Sequence, residues 1–313
     1  MFLLVSLVAA LLGQTGCLFR TRLVEMRTST APLKIATKQE LVDRINSDAA
    51  KIKTLNATVN IATSVGGEKK GKVTDFQEIS GFVLVRKPDM LRMIGLFPIV
   101  RNKAFDMVNQ GDRFELWIPA TNKFYVGSSE VTSPSSNALE NLRPQVIYHA
   151  LLLPEIDAKD EIAVLENSTE AVVDAKSKKL VEQPDYVLDI IRHSGNDWYL
   201  SRKILFERVN LVPHRQIIYD KAGDVVTEAT YQVYRDYSGV SFPNVIEIDR
   251  PQEEYDIRLT VVKLAINELL SDDQFALLQP PGALVIDLDH PNQSASAHGA
   301  PAASQTNGNS EKK

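Results

Sequence analysis

The sequence predicts a mainly antiparallel β protein of the α+β class, in which a large sheet or barrel carries packed helices. Apolar and polar residues alternate in short runs through residues 81–127, which is the period of half-buried strands. Turn residues at 87–89, 111–112 and 119–122 cut these runs into strands of about six to eight residues. A second series of such runs spans residues 161–266, with a turn about every 10 to 14 residues. Together the two series predict one extended antiparallel sheet.

The composition is that of an ordinary globular protein and excludes several classes of function. The chain has 313 residues, 44% of them hydrophobic and 24% charged, with a net charge of −5. No basic stripe is present, so electrostatics does not favour nucleic acid as a partner. Cys17 is the only cysteine, which excludes intrachain disulfides and cysteine-based zinc sites, and the histidines are scattered without an HExxH motif. We therefore expect no metal and no cofactor.

The N-terminus predicts export and lipidation. Residues 2–12 form an apolar run that is too short to span a bilayer and fits a secretory signal, so residues 1–16 are expected to be a signal peptide. Small residues before Cys17 resemble a bacterial lipobox, although Gln14 stands where that pattern prefers Leu. Cys17 would then carry the acyl chains, and residues 17–36 would be a tether. Because Leu18 rather than Asp follows Cys17, the outer membrane is the expected location. The alternative is a plain signal peptide or anchor with an incidental cysteine.

A helix is predicted over residues 38–52. Thr37 and Glu40 form a capping box, and Leu41, Ile45, Ala49 and Ile52 follow at helical spacing. One apolar stripe with a charged back indicates packing against the sheet. Membrane binding by this helix is the alternative, which its acidic residues disfavour.

The first strands are expected at residues 54–64 and 76–87, joined by a charged turn. Residues 94–100 then form an almost wholly apolar segment that nevertheless contains Gly95 and Pro98, residues typical of turns. An apolar turn between solvated strands requires an explanation of its own.

A second, strongly apolar helix is predicted over residues 136–152, with Pro144 either kinking it or starting its second half. It is interpreted as a lid over the concave face of the sheet, and an ordinary core helix is the alternative. The residues expected to face the cavity are Leu139, Leu142, Val146, Ile147 and Leu151.

The strand series resumes after this helix. Strands are expected at 161–166, 186–193, 198–208, 212–220, 225–237, 240–249 and 255–266, with their bulky apolar residues on one face. A short helical turn is expected after Ser271. Residues 289–313 are rich in Ser, Ala, Asn and Gly, so they are expected to be a disordered tail.

The order of these elements resembles the LolA/LolB-like superfamily of bacterial envelope proteins. The likeness rests also on three local patterns, at residues 87–92, 110–119 and 231–243. It implies that residues 37–288 form an unclosed β-barrel of about eleven antiparallel strands, with helices over a concave apolar cavity that holds acyl chains. It also implies a membrane-insertion loop with Leu96, Phe97 and Pro98 at its tip. The alternative for these three residues is that they fold back into the barrel as core.

The resulting functional hypothesis is an outer-membrane lipoprotein that binds acyl chains in lipoprotein or lipid transfer. Expected partners are lipid or lipoprotein acyl chains, the membrane through Cys17, and a periplasmic carrier protein. The alternative is a non-catalytic scaffold or sensor that docks an envelope protein. Acidic residues are scattered on the strands and no GxSxG, Walker or GxGxxG pattern is present, so an enzyme is not expected. Small side chains leaving a void in the barrel would favour the carrier, and large ones filling it would favour the scaffold.

Overall fold

A computed structural model describes residues 32–129, 143–173, 178 and 180–290. The predicted lipidation site Cys17, the lid residues Leu139 and Leu142, and the tail beyond residue 290 lie outside these ranges. None of the helices within them is both long and apolar enough to cross a membrane.

The first predicted helix is confirmed as α1, Lys38–Lys51. The Thr37 hydroxyl accepts from the Glu40 amide, and the Glu40 carboxylate accepts from the Thr37 amide at 2.7 Å, so both halves of the capping box are present. The second helix, α2, is described over Pro144–Leu151, with Pro144 in its first turn. Proline is favoured there because the first amides of a helix have no intrahelical acceptor, so its lack of an N–H costs no hydrogen bond.

One sheet of fifteen strands makes up most of the described part of the chain. Its strands are β1 Thr54–Gly67, β2 Lys72–Asp75, β3 Ile79–Arg86, β4 Met90–Leu96, β5 Lys103–Gln110, β6 Arg113–Ile118, β7 Lys123–Ser128, β8 Glu161–Val173, β9 Leu180–Ser194, β10 Asp197–Glu207, β11 Pro213–Tyr219, β12 Val225–Tyr237, β13 Val240–Arg250, β14 Tyr255–Ile266 and β15 Leu284–Asp287. Short 3₁₀ turns lie at Pro119–Thr121 and Asp272–Phe275.

The strands follow the order β15-β7-β6-β5-β4-β3-β1-β14-β13-β12-β11-β10-β9-β8, with β2 paired to β1 off this path. All pairs are antiparallel except β15 with β7, which is parallel. The two ends, β15 and β8, do not pair with each other, so the described sheet is unclosed, as expected. The first and second strand series meet at the centre, where β1 lies between β3 and β14.

The expected count of about eleven strands is wrong. Two of the additional strands, β2 and β15, are only four residues long. All four residues of β2 are exposed, so it lacks the buried alternating face by which a strand is recognised in sequence. β2 and β15 form because β1 and β7 offer them unpaired backbone amides and carbonyls. Backbone pairing of this kind leaves no pattern in the sequence of the strand itself.

The core lies on one face of the sheet, beneath the two helices. Side chains from the central strands meet α2 and the end of α1 there; they include Leu55, Val83, Met93, Ile147, Leu151, Ile246 and Leu259. A second cluster joins α1 to β9 and β10 through Leu41, Ile45, Leu188 and Phe206. On the opposite face, Phe275 packs with Val108 and Leu270.

Two glycines permit close approach at one end of this core. Gly81 and Gly95 lie opposite each other on β3 and β4. A Cβ at Gly81 would lie 2.6 Å from the Ile61 Cδ1 atom, and one at Gly95 would meet the Phe105 ring. Only glycine therefore fits under these side chains, just before the β4–β5 turn.

The solvent-facing side of β13 and β14 carries a pair of carboxylates. Asp249 lies opposite Asp256, which also accepts from the Ser64 hydroxyl at 3.0 Å. Partial burial and the neighbouring Asp256 raise the pKa of Asp249 from its ordinary 3.8 to about 6. The pair therefore opposes folding most when both groups are ionised.

Candidate functional site

The candidate site is a narrow apolar cleft at the edge of the concave face, referred to below as the cleft. It lies between α1, the segment after α2, and the β12–β13 hairpin, and its volume is about 70 Å³. Arg44, Asp48 and Ser241 contribute polar groups. The larger apolar and aromatic residues that line it are Ile52, Leu151, Phe206, Tyr231, Tyr234 and Phe242.

The segment that follows α2, residues 152–157, is held on both sides, and its first two residues, Leu152 and Leu153, line the cleft. The Asn46 side chain of α1 donates to the Ile156 carbonyl at 3.1 Å and accepts from the Ile156 amide at 2.8 Å. From β10, Arg202 donates to the carbonyls of Pro154 and Glu155, at 2.9 and 3.1 Å. Both sets of bonds are to main-chain atoms, so they fix the path of the chain directly after the cleft-lining Leu152 and Leu153.

A buried charge network supports the same segment. Glu161 accepts from Arg192 at 3.0 Å and from Arg202 at 3.1 Å. Arg202 and Glu161 are both buried, with side chains 5% and 2% exposed. Burial lowers the pKa of Arg202, while the charge of Glu161 opposes that effect. A buried ion pair of this kind is expensive to break from one side.

Helix α2 is held mainly by packing and by contacts at its ends. The Tyr148 hydroxyl donates to the Pro88 carbonyl, and burial raises the pKa of Tyr148 to about 12. At the start of the helix, the Arg143 guanidinium lies 4.8 Å from the centre of the Phe114 ring. Near its end, the His149 carbonyl accepts from Gln216 at 3.4 Å.

His149 of α2 is affected by the charges of the network. Burial, and then the positive charges of Arg202 and Arg192, lower the pKa of His149 from 6.5 to about 4. The ring is therefore neutral at pH 7, with a nitrogen 2.9 Å from the Gln145 amide nitrogen. Helix α2 thus adds no histidine charge to the concave face.

The structure brings the described lid residues together on the concave face. Ile147 and Leu151 are buried in the main core cluster, and Val146 packs against it. These three residues are therefore in contact with the sheet, as a lid or a core helix requires.

The apolar turn between β4 and β5 projects hydrophobic side chains into solvent. Leu96 is the last residue of β4 and is half-buried, as is Pro98, whereas Phe97 is 41% exposed. The most exposed residues are Ile99, at 98%, and Val100, at 65%. Phe97, Ile99 and Val100 are referred to below as the tip.

Sequence reasoning overlooked Ile99 and Val100. Their position could have indicated exposure, because they follow the turn residue Pro98 and directly precede the charged Arg101. The turn closes through hydrogen bonds from the Phe97 amide to the Asn102 carbonyl and from the Arg101 amide to the Phe97 carbonyl, at 2.9 and 3.0 Å. Ile99 adopts φ 70°, which a β-branched residue rarely does. Ile99 therefore combines an unfavourable backbone conformation with a fully exposed apolar side chain.

Within the described ranges, no three His, Cys, Asp or Glu side chains are grouped closely enough to hold a metal ion. The cleft itself presents one carboxylate, that of Asp48, and one guanidinium, that of Arg44, four residues apart on α1. Its chemistry is therefore that of an apolar binding surface with a polar rim.

No protein-family model matches the chain, and no curated protein sequence matches it. Three solved structures that are similar to it are a DUF1329 family protein, a LolA superfamily protein and a domain assigned to outer membrane lipoprotein sorting. The DUF1329 family protein, from Desulfovibrio piger, is 17% identical over 76% of this chain and 95% of its own, with a TM-score of 0.49. The LolA superfamily protein, from Nitrosomonas europaea, is 13% identical over 78% and 99%, with a TM-score of 0.47.

The lipoprotein-sorting domain, from Vibrio parahaemolyticus, is 14% identical over 76% of this chain and 97% of its own, with a TM-score of 0.45. A LolA superfamily protein is thus among the structural matches, as the resemblance in the sequence predicted. All three structures are at most 17% identical to this chain, with TM-scores of at most 0.49.

Proposed function

We propose that this chain is a lipoprotein of the bacterial envelope, anchored through Cys17, that binds acyl chains on its concave face during lipoprotein or lipid transfer. The observation that carries the proposal is the continuous apolar face of an unclosed sheet, which, within the described ranges, is covered by two separate helices rather than by a second sheet. The cleft lies where α1 and the segment after α2 meet. An acyl chain requires this kind of apolar surface and no catalytic group.

Binding a whole acyl chain requires the helices to move. Ligand sites that enclose a small molecule measure about 300–1,000 Å³, whereas the cleft measures about 70 Å³. The segment after α2 is fixed to α1 and β10 by main-chain hydrogen bonds. Helix α2 itself is eight residues long and is held chiefly by packing, so we expect α2 to be the part that shifts when a chain enters.

The tip supports contact with a membrane. Fully burying an Ile, Val or Phe side chain contributes about 1.5–3 kcal/mol, and the exposed fractions of Phe97, Ile99 and Val100 amount to about two whole side chains. Arg101 is exposed beside them and suits an anionic surface. The tip and the lipid at Cys17 would give the protein two points of attachment to the membrane. Stable anchoring takes two such signals, since a single acyl chain binds only marginally. A periplasmic carrier would then hand its acylated cargo to this protein at the membrane.

A second candidate is favoured by the small size of the cleft. Large side chains such as Tyr231 and Phe242 occupy the concave face in the described part of the chain. A filled interior suits a non-catalytic scaffold or sensor that uses its outer surface to dock an envelope protein.

Native mass spectrometry separates the two candidates. The chain from Thr37 onward would be expressed in a bacterial periplasm and examined without detergent. A co-purified mass that dissociates as phospholipid or acylated peptide supports the carrier. An empty protein that also fails to take up a fluorescent fatty acid supports the scaffold.

A matched pair of variants tests whether the cleft is the entry point. Ala49 is 9% exposed and lines the cleft, whereas Ala50 is exposed on the other side of α1. Ala49→Leu fills the cleft, so we expect fatty-acid affinity to fall about tenfold, which corresponds to about 1.4 kcal/mol. Ala50→Leu should leave affinity unchanged. Equal affinities of the two variants would place the acyl site elsewhere.

A further inference from the structure

One end of the sheet is an unusually long and regular edge strand. β8 runs for thirteen residues, Glu161–Val173, and pairs with β9 on one side without a register shift. Its other side has no strand partner among the described residues. Its sequence, EIAVLENSTEAVV, contains no Pro, Gly, Lys or Arg. An edge of this kind is a template for pairing with another strand.

The opposite end of the sheet is protected in the usual ways. β15 is four residues long and follows Pro280 and Pro281. Short edges and nearby prolines discourage strand addition. Of the two ends of the described sheet, β8 is therefore the edge that is open to strand addition.

We propose that the partner of β8 is a second copy of the chain, whose β8 pairs antiparallel with the first across a two-fold axis at Asn167. The proposal is independent of acyl-chain binding. A two-fold axis perpendicular to the sheet keeps every residue opposite one on the same face. The axis therefore lies midway between the two strands, at a point where one residue faces its own copy. The two sheets then become continuous.

The length and the charges of β8 together favour this register. With the axis at Asn167, Ile162 lies opposite Val172, Ala163 opposite Ala171, and no two carboxylates lie opposite each other. With the axis one residue earlier, Glu166 would face its own copy. With the axis one residue later, Glu166 would face Glu170. Like charges directly opposite are destabilising, which disfavours both neighbouring axes. Asn167 is also the midpoint of Glu161–Val173, so this axis pairs the whole of β8, whereas an axis two residues away leaves part of the strand unpaired.

The exposed side chains of β8 agree with this pairing. Ile162 and Val164 are 49% and 45% exposed, although they belong to a regular strand. Of the three carboxylates, Glu161 is buried with Arg202 and Glu170 pairs with Arg215 at 3.1 Å. The edge therefore presents little free charge to a second copy.

Cysteine cross-linking in cells tests the register in the full chain. Asn167→Cys places a thiol opposite its own copy, whereas the thiols of Thr169→Cys would be separated by about 13 Å at the strand rise of about 3.4 Å per residue. A disulfide requires Cα atoms within about 7 Å. With mild oxidation we expect at least ~10-fold more disulfide dimer for Asn167→Cys than for Thr169→Cys. The wild-type chain, whose only cysteine is Cys17, controls for other contacts.

A charge-swap pair provides an independent test that does not depend on oxidation. Asn167→Asp and Asn167→Lys each place like charges at the axis and should sediment as monomers. An equal mixture of the two should restore the dimer, since Asp then faces Lys. The same changes at Asn196, which is exposed in the β9–β10 turn, should leave the dimer intact.

Three results would overturn the proposal. These are a monomeric wild-type chain at all concentrations, equal cross-linking at positions 167 and 169, or a cross-linked product with the mass of a different protein. These results concern only the dimer. If the variants at Asn167 still take up fatty acid normally, the proposed function stands even when the dimer proposal fails.

Discussion

Replacing Ile99 with Asn should weaken membrane binding while making the protein more stable. Ile99 is 98% exposed and has φ 70°. The left-handed region costs an ordinary residue roughly 1–2 kcal/mol, and Asn tolerates it better. We therefore expect Ile99→Asn to raise the free energy of unfolding by about 1 kcal/mol.

The same change removes the largest apolar contribution of the tip. Burying an Ile side chain in lipid contributes about 1.5–3 kcal/mol, so the dissociation constant for vesicles should rise roughly 10- to 100-fold. The assays are urea denaturation and co-sedimentation with vesicles of phosphatidylcholine and phosphatidylglycerol. Opposite changes in stability and binding cannot result from unfolding.

Leu269→Asn is the matched control, since Leu269 is 97% exposed but lies outside the tip. It should leave vesicle binding unchanged. Unchanged binding by Ile99→Asn, or an equal loss in both variants, would refute a membrane role for the tip. A fall in stability would refute the strain argument on its own.

Three further changes test the fold around the site. Asp249→Asn should stabilise the protein above pH 6 but not below pH 4. The pKa of Asp249 is raised from 3.8 to about 6, so the wild-type protein loses stability as the pH rises through that range. Thermal melts at pH 4 and 8 would show this, and a stability difference that is the same at both pH values would contradict it. Glu161→Gln strands the buried charge of Arg202 and should cost about 3–5 kcal/mol in urea denaturation, with a loss below about 1 kcal/mol arguing against the network. Gly95→Ala should cost about 1–3 kcal/mol, and Phe105→Leu in the same chain should recover part of that loss if the clash is with this ring.

Features that depend on near neighbours in the chain were predictable. The capping box of Thr37 and Glu40 and the stripe of Leu41, Ile45 and Ala49 predicted α1 to within one residue. Alternation predicted most of the long strands because a half-buried strand imposes a period of two on its own residues. The unclosed sheet was implied by resemblance, and the described sheet agrees with it.

Features that depend on distant pairing were not predictable. The count of fifteen strands depends on β2 and β15, which have four residues each. β15 forms because residues after 280 return to the edge of β7, more than 150 positions away in the chain. No local period records such a contact.

The candidate site divides along the same line. The sequence by itself determined that residues 94–100 are apolar and lead into a turn, and that α1 and α2 present apolar faces, because composition and spacing are local properties. Only the tertiary structure decided that Ile99 and Val100, rather than Leu96 and Pro98, are the most exposed residues of the turn. It alone also reduced the expected cavity to a cleft of about 70 Å³. The physical reason is that exposure and volume are set by side chains from strands far apart in sequence, which meet only when the sheet assembles.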